Sequence, residues 1–223
     1  MPLTRDIPRS EALRYLGMGK SVTPDPDTLA LLDSCAETLT RESVPKSVCK
    51  EVSIAVTDSE VLIEDTKIQS TGLARNLKCC KKAVLLAVTI GPACDRLVKR
   101  AQVRSNLEGA IYQALGAAAV EDYIDQIDEK IRTDYEGEGL YARPRFSPGY
   151  GDLKLEHQKD WFRILDITKN TGITLLDSLL MVPTKSVTAI IGLASEPSNE
   201  QRHNCEDCSM ANTCSFSKRK EIT

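Results

Sequence analysis

The residues best suited to bind a ligand lie together in the segment 143–152, which reads Arg-Pro-Arg-Phe-Ser-Pro-Gly-Tyr-Gly-Asp. Proline fixes φ and glycine allows backbone conformations that other residues rarely adopt, so this segment is predicted to be a loop of defined shape. Arg145 can bind a carboxylate through two parallel N–H donors, and Tyr150 can contact a planar group. The segment, called the Arg-Tyr loop below, therefore predicts a site for a ligand with a carboxylate and an aromatic or planar part. The alternative is a turn whose arginines cap a helix end or solvate the surface.

A second group of chemically active residues lies near the C-terminus. Cys205 and Cys208 form a Cys-x-x-Cys pair, Cys214 follows closely, and His203 is near enough in sequence to be a fourth ligand. This spacing is typical of metal ligands, and thiolates select zinc or an iron–sulfur cluster. The segment therefore predicts a zinc or iron–sulfur site, the alternative being a set of reduced surface thiols.

The elements that must position these residues can be predicted from apolar patterning. Residues 83–90 form a continuous apolar run, typical of a strand buried on both faces. Ser105 and Glu108 form a capping-box pattern that opens the longest predicted helix, which runs to about residue 135. Other helices are predicted at 9–16, from 26 onward, at 95–102 and at 155–165, and other strands at 52–56, 60–64, 171–181 and 186–194. Because strands and helices do not alternate regularly, the pattern favours the α+β class.

Composition excludes several functions. The 223 residues can bury a substantial core, and a net charge of −3 gives no electrostatic reason to bind nucleic acid or a membrane surface. The start of the chain lacks the apolar stretch of a signal peptide, and the apolar runs are too short to span a bilayer, so we expect a cytoplasmic protein. We divide the chain into an N-terminal helical segment (1–44), an α+β core (45–196) and a cysteine-rich tail (197–223).

Common catalytic motifs are missing from the sequence. No Gly-x-Gly-x-x-Gly follows a predicted strand, and no phosphate-binding Gly-Lys-Ser/Thr loop is present. His157 and His203 are the only histidines, which disfavours a hydrolase triad, and neither stands in the Asp-x-His-x-x-Gly pattern that would ligate cobalt.

Several motifs together resemble the activation (reactivation) domain of vitamin B12 (cobalamin)-dependent methionine synthase, in a free-standing form. Residues 145–150 read Arg-Phe-Ser-Pro-Gly-Tyr, and the segment 171–187 carries Thr-Gly-Ile-Thr-Leu followed by Ser-x-x-Met-x-Pro. The helix around 121–132 and the strand at 83–91 also match, so the resemblance covers roughly residues 45–195. It implies a mixed or antiparallel twisted sheet flanked by helices, one of them long.

The resemblance also implies a function. Such a protein binds S-adenosylmethionine and supports the reductive methylation of cob(II)alamin on a separate methionine synthase or another corrinoid protein. The cobalamin would be carried by the partner's cobalamin-binding module, and an electron donor would supply the reducing electron. Because the chain lacks the homocysteine, folate and cobalamin modules of the synthase, we expect an accessory component that works in trans, and whether it is itself an enzyme stays open.

The resemblance assigns roles to five residues. Arg145 would pair with the carboxylate of the methyl donor, and Glu121 would face its ammonium or the nearby cationic centre. Tyr150 would stand at the corrin face and is the catalytic candidate. Ser147 and Gly149 would hold the adenosine or the carboxylate through their backbone groups, although the fused synthases carry Ala in place of Ser147.

Two other functions are also consistent with the sequence. The fused domains have a ligand-contacting tyrosine soon after their last strand, and residues 192–199 contain none. A docking module for a corrinoid protein, without donor binding, is therefore one alternative. The other is a redox accessory protein in which the cysteine tail binds an iron–sulfur cluster or zinc and a cluster passes the electron to cobalt(II).

Overall fold

The protein is described by a computed structural model that covers residues 6–18 and 23–197. Its helices are α1 (Arg9–Tyr15), α2 (Pro26–Glu42), α3 (Thr71–Asn76), α4 (Ala93–Gln102), α5 (Asn106–Glu136), α6 (Gln158–Leu165) and α7 (Ile167–Thr171). Its strands are β1 (Lys46–Val56), β2 (Glu60–Ile63), β3 (Thr66–Gln69), β4 (Cys80–Thr89), β5 (Tyr141–Ala142), β6 (Thr174–Leu175), β7 (Met181–Val182) and β8 (Ser186–Ala194). A short 3-10 helix, Leu155–His157, leads directly into α6.

Six strands form one sheet in the order β3-β2-β1-β4-β8-β5, and every neighbouring pair is antiparallel. This confirms the predicted α+β fold and resolves the sheet as antiparallel. The central strand β4 is buried along nearly its whole length because both faces of the sheet are covered. Its alternate side chains enter two different cores, as the period of a strand requires. Val84, Leu86 and Val88 pack with α1, α2, α4 and α5, whereas Ala83, Leu85 and Ala87 pack with α3, α6 and α7.

The long helix α5 begins where the sequence predicts. The Ser105 hydroxyl accepts a hydrogen bond from the Glu108 amide at 3.2 Å, which satisfies one of the free N–H groups at the helix start. The small residues of its first half allow close packing against α4. A Cβ atom added at Gly116 would lie only 2.3 Å from the Cys94 sulfur and 3.0 Å from Cε of Lys185.

The prediction of a single strand at 171–181 is wrong. Thr171 is the last residue of α7, where its hydroxyl donates to the Ile167 carbonyl at 2.7 Å, and Gly172 follows with a left-handed φ of +80°. The rest of the segment is a two-stranded hairpin of β6 and β7, separate from the main sheet. The short elements β3, α3 and β5 were not predicted because none is long enough to show a clear apolar period.

None of the helices in residues 6–18 and 23–197 combines the length and the hydropathy that a membrane-spanning helix requires. The helices α1 and α2 contribute Ala12, Leu32 and Leu39 to the same core as α5. The division of the chain at residues 44 and 196 stays a prediction.

Candidate functional site

The first half of the Arg-Tyr loop runs along the edge of the main sheet. The Arg143 amide donates to the Gly192 carbonyl at 2.8 Å. The Phe146 amide donates to the Ile190 carbonyl at 3.0 Å, and the Ile190 amide donates back to the Phe146 carbonyl at 2.8 Å. The loop therefore continues the pairing between β5 and β8, and its backbone position is fixed by the last core strand.

The second half of the loop is a compact turn that presents one aromatic side chain. The Gly149 amide donates to the Leu153 carbonyl at 2.8 Å, and the Tyr150 amide donates to the Ser147 carbonyl at 3.1 Å. Gly149 has a φ of +95° and Gly151 a φ of +56°, a region that side-chain-bearing residues rarely adopt, which explains the glycines at these positions. Tyr150 is 69% exposed as a residue, so the turn presents it to solvent.

Asp152 fastens the end of the loop to helix α3. Its carboxylate accepts from the Ser70 hydroxyl at 2.5 Å, from the Thr71 amide at 2.7 Å and from the Gly72 amide at 3.0 Å. These bonds, with that from Ser70 the largest influence, hold the pKa of Asp152 below its usual range. The sequence gives no sign of this contact, because the partners are some eighty residues away along the chain.

Asp152→Asn is expected to lower the melting temperature at pH 7, since an amide cannot accept hydrogen bonds on both of its terminal atoms. The lowered pKa means that the carboxylate stabilises the fold above about pH 4 and loses that contribution as pH falls through its folded-state pKa. The difference in melting temperature from wild type should therefore shrink below about pH 4. Thermal unfolding over a pH series measures it, with Asp58→Asn as the control at an exposed turn. A difference that stays constant across the series would contradict this role.

Three carboxylates on one face of α5 surround the side chain of Arg145. Glu121, Asp125 and Asp128 are spaced four and three residues apart, which places them on the same face of the helix. Arg145 Nη1 donates to Asp125 Oδ1 at 2.7 Å and lies 3.8 Å from Asp128 Oδ2, while Nη2 lies 3.6 Å from Glu121 Oε2. The structure thus brings together Arg145 and Glu121, two of the predicted site residues, and adds Asp125 and Asp128 to them.

A second arginine ties the start of the Arg-Tyr loop to the same helix. Arg132 donates from Nη1 to the Ala142 carbonyl at 2.8 Å and from Nη2 to the Arg143 carbonyl at 3.0 Å. Its Nε lies 3.0 Å from Asp128 Oδ1, an ion-pair contact whose angle does not make a hydrogen bond. Sequence reasoning missed both residues, because an acidic residue four positions before a basic one on a helix is usually a solvated pair.

The predicted metal ligands Cys205, Cys208 and Cys214 lie outside the described residues, so the zinc or iron–sulfur site stays a prediction. Across residues 6–18 and 23–197, no group of three or more His, Cys, Asp or Glu side chains is placed to hold a metal ion. Burial raises the pKa of the Cys94 thiol to about 11, which is the behaviour of a core side chain rather than a reactive one.

The fold agrees with comparisons to known proteins. Residues 81–221, more than half of the chain, match the family described as vitamin B12 dependent methionine synthase, activation domain. The fold is similar to the crystal structure of the MetH reactivation domain bound to AdoHcy, with a TM-score of 0.60 over 85% of this chain and 73% of that chain, at 16% sequence identity. No curated protein matches the chain. The chain therefore belongs to the activation-domain family of vitamin B12-dependent methionine synthase.

Proposed function

We propose that this protein binds S-adenosylmethionine at the Arg-Tyr loop and supports the reductive methylation of cob(II)alamin held by a separate methionine synthase or another corrinoid protein. An external electron donor supplies the reducing electron. The observation that carries the proposal is the guanidinium of Arg145, held against the acidic face of α5 beside a turn that exposes Tyr150. In support, the MetH reactivation domain binds AdoHcy in its crystal structure, and AdoHcy is the demethylated form of S-adenosylmethionine.

The charges around Arg145 suit the amino-acid end of this ligand, which carries one carboxylate and one ammonium. Arg145 offers a fork of N–H donors to the carboxylate, and the carboxylates of Glu121 and Asp125 offer acceptors to the ammonium. The side chain of Asp125 is 64% exposed, so water can solvate this carboxylate when the ion pair with Arg145 opens. A ligand carboxylate can therefore replace Asp125 on the guanidinium at small cost, and this frees Asp125 for the ammonium.

The sulfonium of a bound donor would supply an activated methyl group for reduced cobalamin, with the neutral thioether AdoHcy as the leaving group. The contribution of this chain is to hold the donor in one orientation, because alignment of reacting atoms lowers the barrier without further chemistry from the protein. Arg145 fixes one end of the donor, and the backbone turn that contains Ser147 and Gly149 lies between it and Tyr150. The exposed ring of Tyr150 is then the part of the site that a corrinoid partner meets first.

Calorimetric titration of S-adenosylmethionine into the purified protein tests the proposal, first alone and then with a cobalamin-loaded corrinoid protein present. We expect a single binding site for the donor. In a separate assay that contains a reductant, we expect the corrinoid to be methylated faster with this protein than without it. Absence of donor binding in both titrations would contradict the proposal. Binding of the corrinoid protein without any donor binding would favour the docking module instead.

Tyr150→Ala separates donor binding from the encounter with the corrin. Because the side chain is exposed and makes no hydrogen bond within the described part of the chain, the variant should bind S-adenosylmethionine like the wild type. Its rate of corrinoid methylation should fall by on the order of tenfold or more, since contact at the reacting face is lost. The rate is measured from the change in the absorption spectrum of the corrinoid. Val103→Ala, at an exposed apolar residue after α4, is the control. A Tyr150→Ala variant with the wild-type rate would contradict the role.

A further inference from the structure

We infer that Asp128 is a positioning residue, which aims Arg145 at the carboxylate of the donor and so determines donor affinity. This inference rests on the proposed function, and it concerns a residue that no sequence motif singled out. Asp128 does not itself touch the ligand. It acts through two arginines.

The burial of Asp128 distinguishes it from the other carboxylates around Arg145. Its side chain is 6% exposed, whereas those of Glu121 and Asp125 are 48% and 64% exposed. A buried side chain has few rotamers open to it, because the atoms packed around it exclude the others. Asp128 is therefore the fixed member of the cluster, and the two exposed carboxylates are the movable ones.

The two oxygens of Asp128 face two different guanidinium groups. Oδ1 lies 3.0 Å from Arg132 Nε, and Oδ2 lies 3.8 Å from Arg145 Nη1. Arg132 in turn holds the carbonyls of Ala142 and Arg143, just before Arg145 in the chain. One carboxylate thus fixes the backbone that carries Arg145, through Arg132, and also attracts the Arg145 side chain directly.

This arrangement matters when the ligand enters. The donor carboxylate competes with Asp125 for Arg145 Nη1, and the exposed Asp125 can turn toward solvent or toward the ammonium. Asp128 has no such freedom. Asp128 continues to attract the guanidinium of Arg145 from its buried position on α5. The N–H donors of Arg145 therefore keep their direction while the donor carboxylate replaces Asp125.

The test compares two variants of the full chain that each remove one negative charge from α5. Asp128→Asn keeps the shape of the buried side chain, and Glu129→Gln makes the same change at the exposed neighbouring residue. Both are titrated with S-adenosylmethionine and with decarboxylated S-adenosylmethionine, which keeps the sulfonium, the amine and the adenosine. We expect Asp128→Asn to weaken binding of S-adenosylmethionine by about tenfold, because a misdirected Arg145 loses about one charged hydrogen bond to the donor carboxylate. Binding of the decarboxylated ligand should stay within about twofold of wild type. Glu129→Gln should bind both ligands like the wild type.

Equal losses for the two ligands would show a general loosening of the site and overturn the inference, as would an Asp128→Asn variant that binds S-adenosylmethionine normally. Thermal unfolding checks that the variants fold. Should Asp128→Asn fail to fold, Arg132→Lys provides the second test. Lysine keeps a cation beside Asp128 but cannot donate to the carbonyls of both Ala142 and Arg143. This variant should show the same loss of affinity for S-adenosylmethionine and none for the decarboxylated ligand. If the wild-type protein binds neither ligand, the proposed function itself is overturned, and this role with it. That result differs from normal binding by Asp128→Asn, which overturns only the role of Asp128.

Discussion

Arg145→Ala is expected to weaken the binding of S-adenosylmethionine by about 10- to 100-fold. A hydrogen bond to a charged group contributes about 1.5–3 kcal/mol. Among the described residues of the Arg-Tyr loop, Arg145 is the only one whose cation lies within 4 Å of Glu121, Asp125 and Asp128. Its removal also leaves three carboxylates facing the carboxylate of the donor. Calorimetric titration of the variant beside the wild type measures the loss.

Two further variants define what Arg145 contributes. Arg145→Lys keeps the positive charge but not the planar fork, so its affinity should fall between those of the wild type and Arg145→Ala. Lys154→Ala removes a charge from an exposed residue just after the loop and should bind normally. Wild-type affinity in Arg145→Ala would place the donor somewhere other than the Arg-Tyr loop.

Gly116→Ala is expected to lower the free energy of unfolding by about 1–3 kcal/mol, the usual cost of overpacking a core. The direction is unusual, because alanine is normally better than glycine inside a helix by up to about 1 kcal/mol. Here the new Cβ would stand 2.3 Å from the Cys94 sulfur, so α4 and α5 would have to move apart. Denaturant unfolding at equilibrium measures the change.

The cause of that loss can be checked by making room for the new methyl group. Cys94→Ala removes the sulfur, so the double variant with Gly116→Ala should be more stable than the sum of the two single changes predicts. Gly109→Ala is the matched control on α5: its Cβ would meet the side chain of Gln102, an exposed residue that can turn away. If Gly116→Ala were as stable as the wild type, α4 and α5 would not be packed as closely as described.

Local patterns were sufficient for the parts of the fold that depend on local chemistry. The pair Ser105 and Glu108 marks the start of α5, since a helix start needs a side-chain acceptor for its free amides. The unbroken apolar run at 83–90 indicates a strand covered on both sides, which β4 is. The Arg-Tyr loop was predicted from proline and glycine, whose backbone preferences hold in any surroundings.

The remainder depends on contacts between distant segments. Asp128 and Arg132 have the spacing of a solvated pair on a helix, and their further partners lie in residues 142–145, which return to α5 from the next part of the chain. Asp152 finds its partners at Ser70 and Gly72, a pairing that no window of sequence contains. The segment at 171–181 carries the strand-favouring residues Thr171, Ile173 and Thr174, yet Thr171 ends α7, the left-handed backbone at Gly172 follows it, and a hairpin turn divides the rest.

The attachment of the Arg-Tyr loop to three separate elements has a thermodynamic consequence. Because β8, α3 and α5 each hold part of it, the loop loses its conformational entropy when the chain folds and not when a ligand arrives. A ligand then meets donors that are already in place, and more of its interaction free energy is expressed as affinity. The same preorganisation makes affinity depend on residues whose side chains bind other parts of the chain, since loosening the loop at Asp152 returns disorder that binding must remove again.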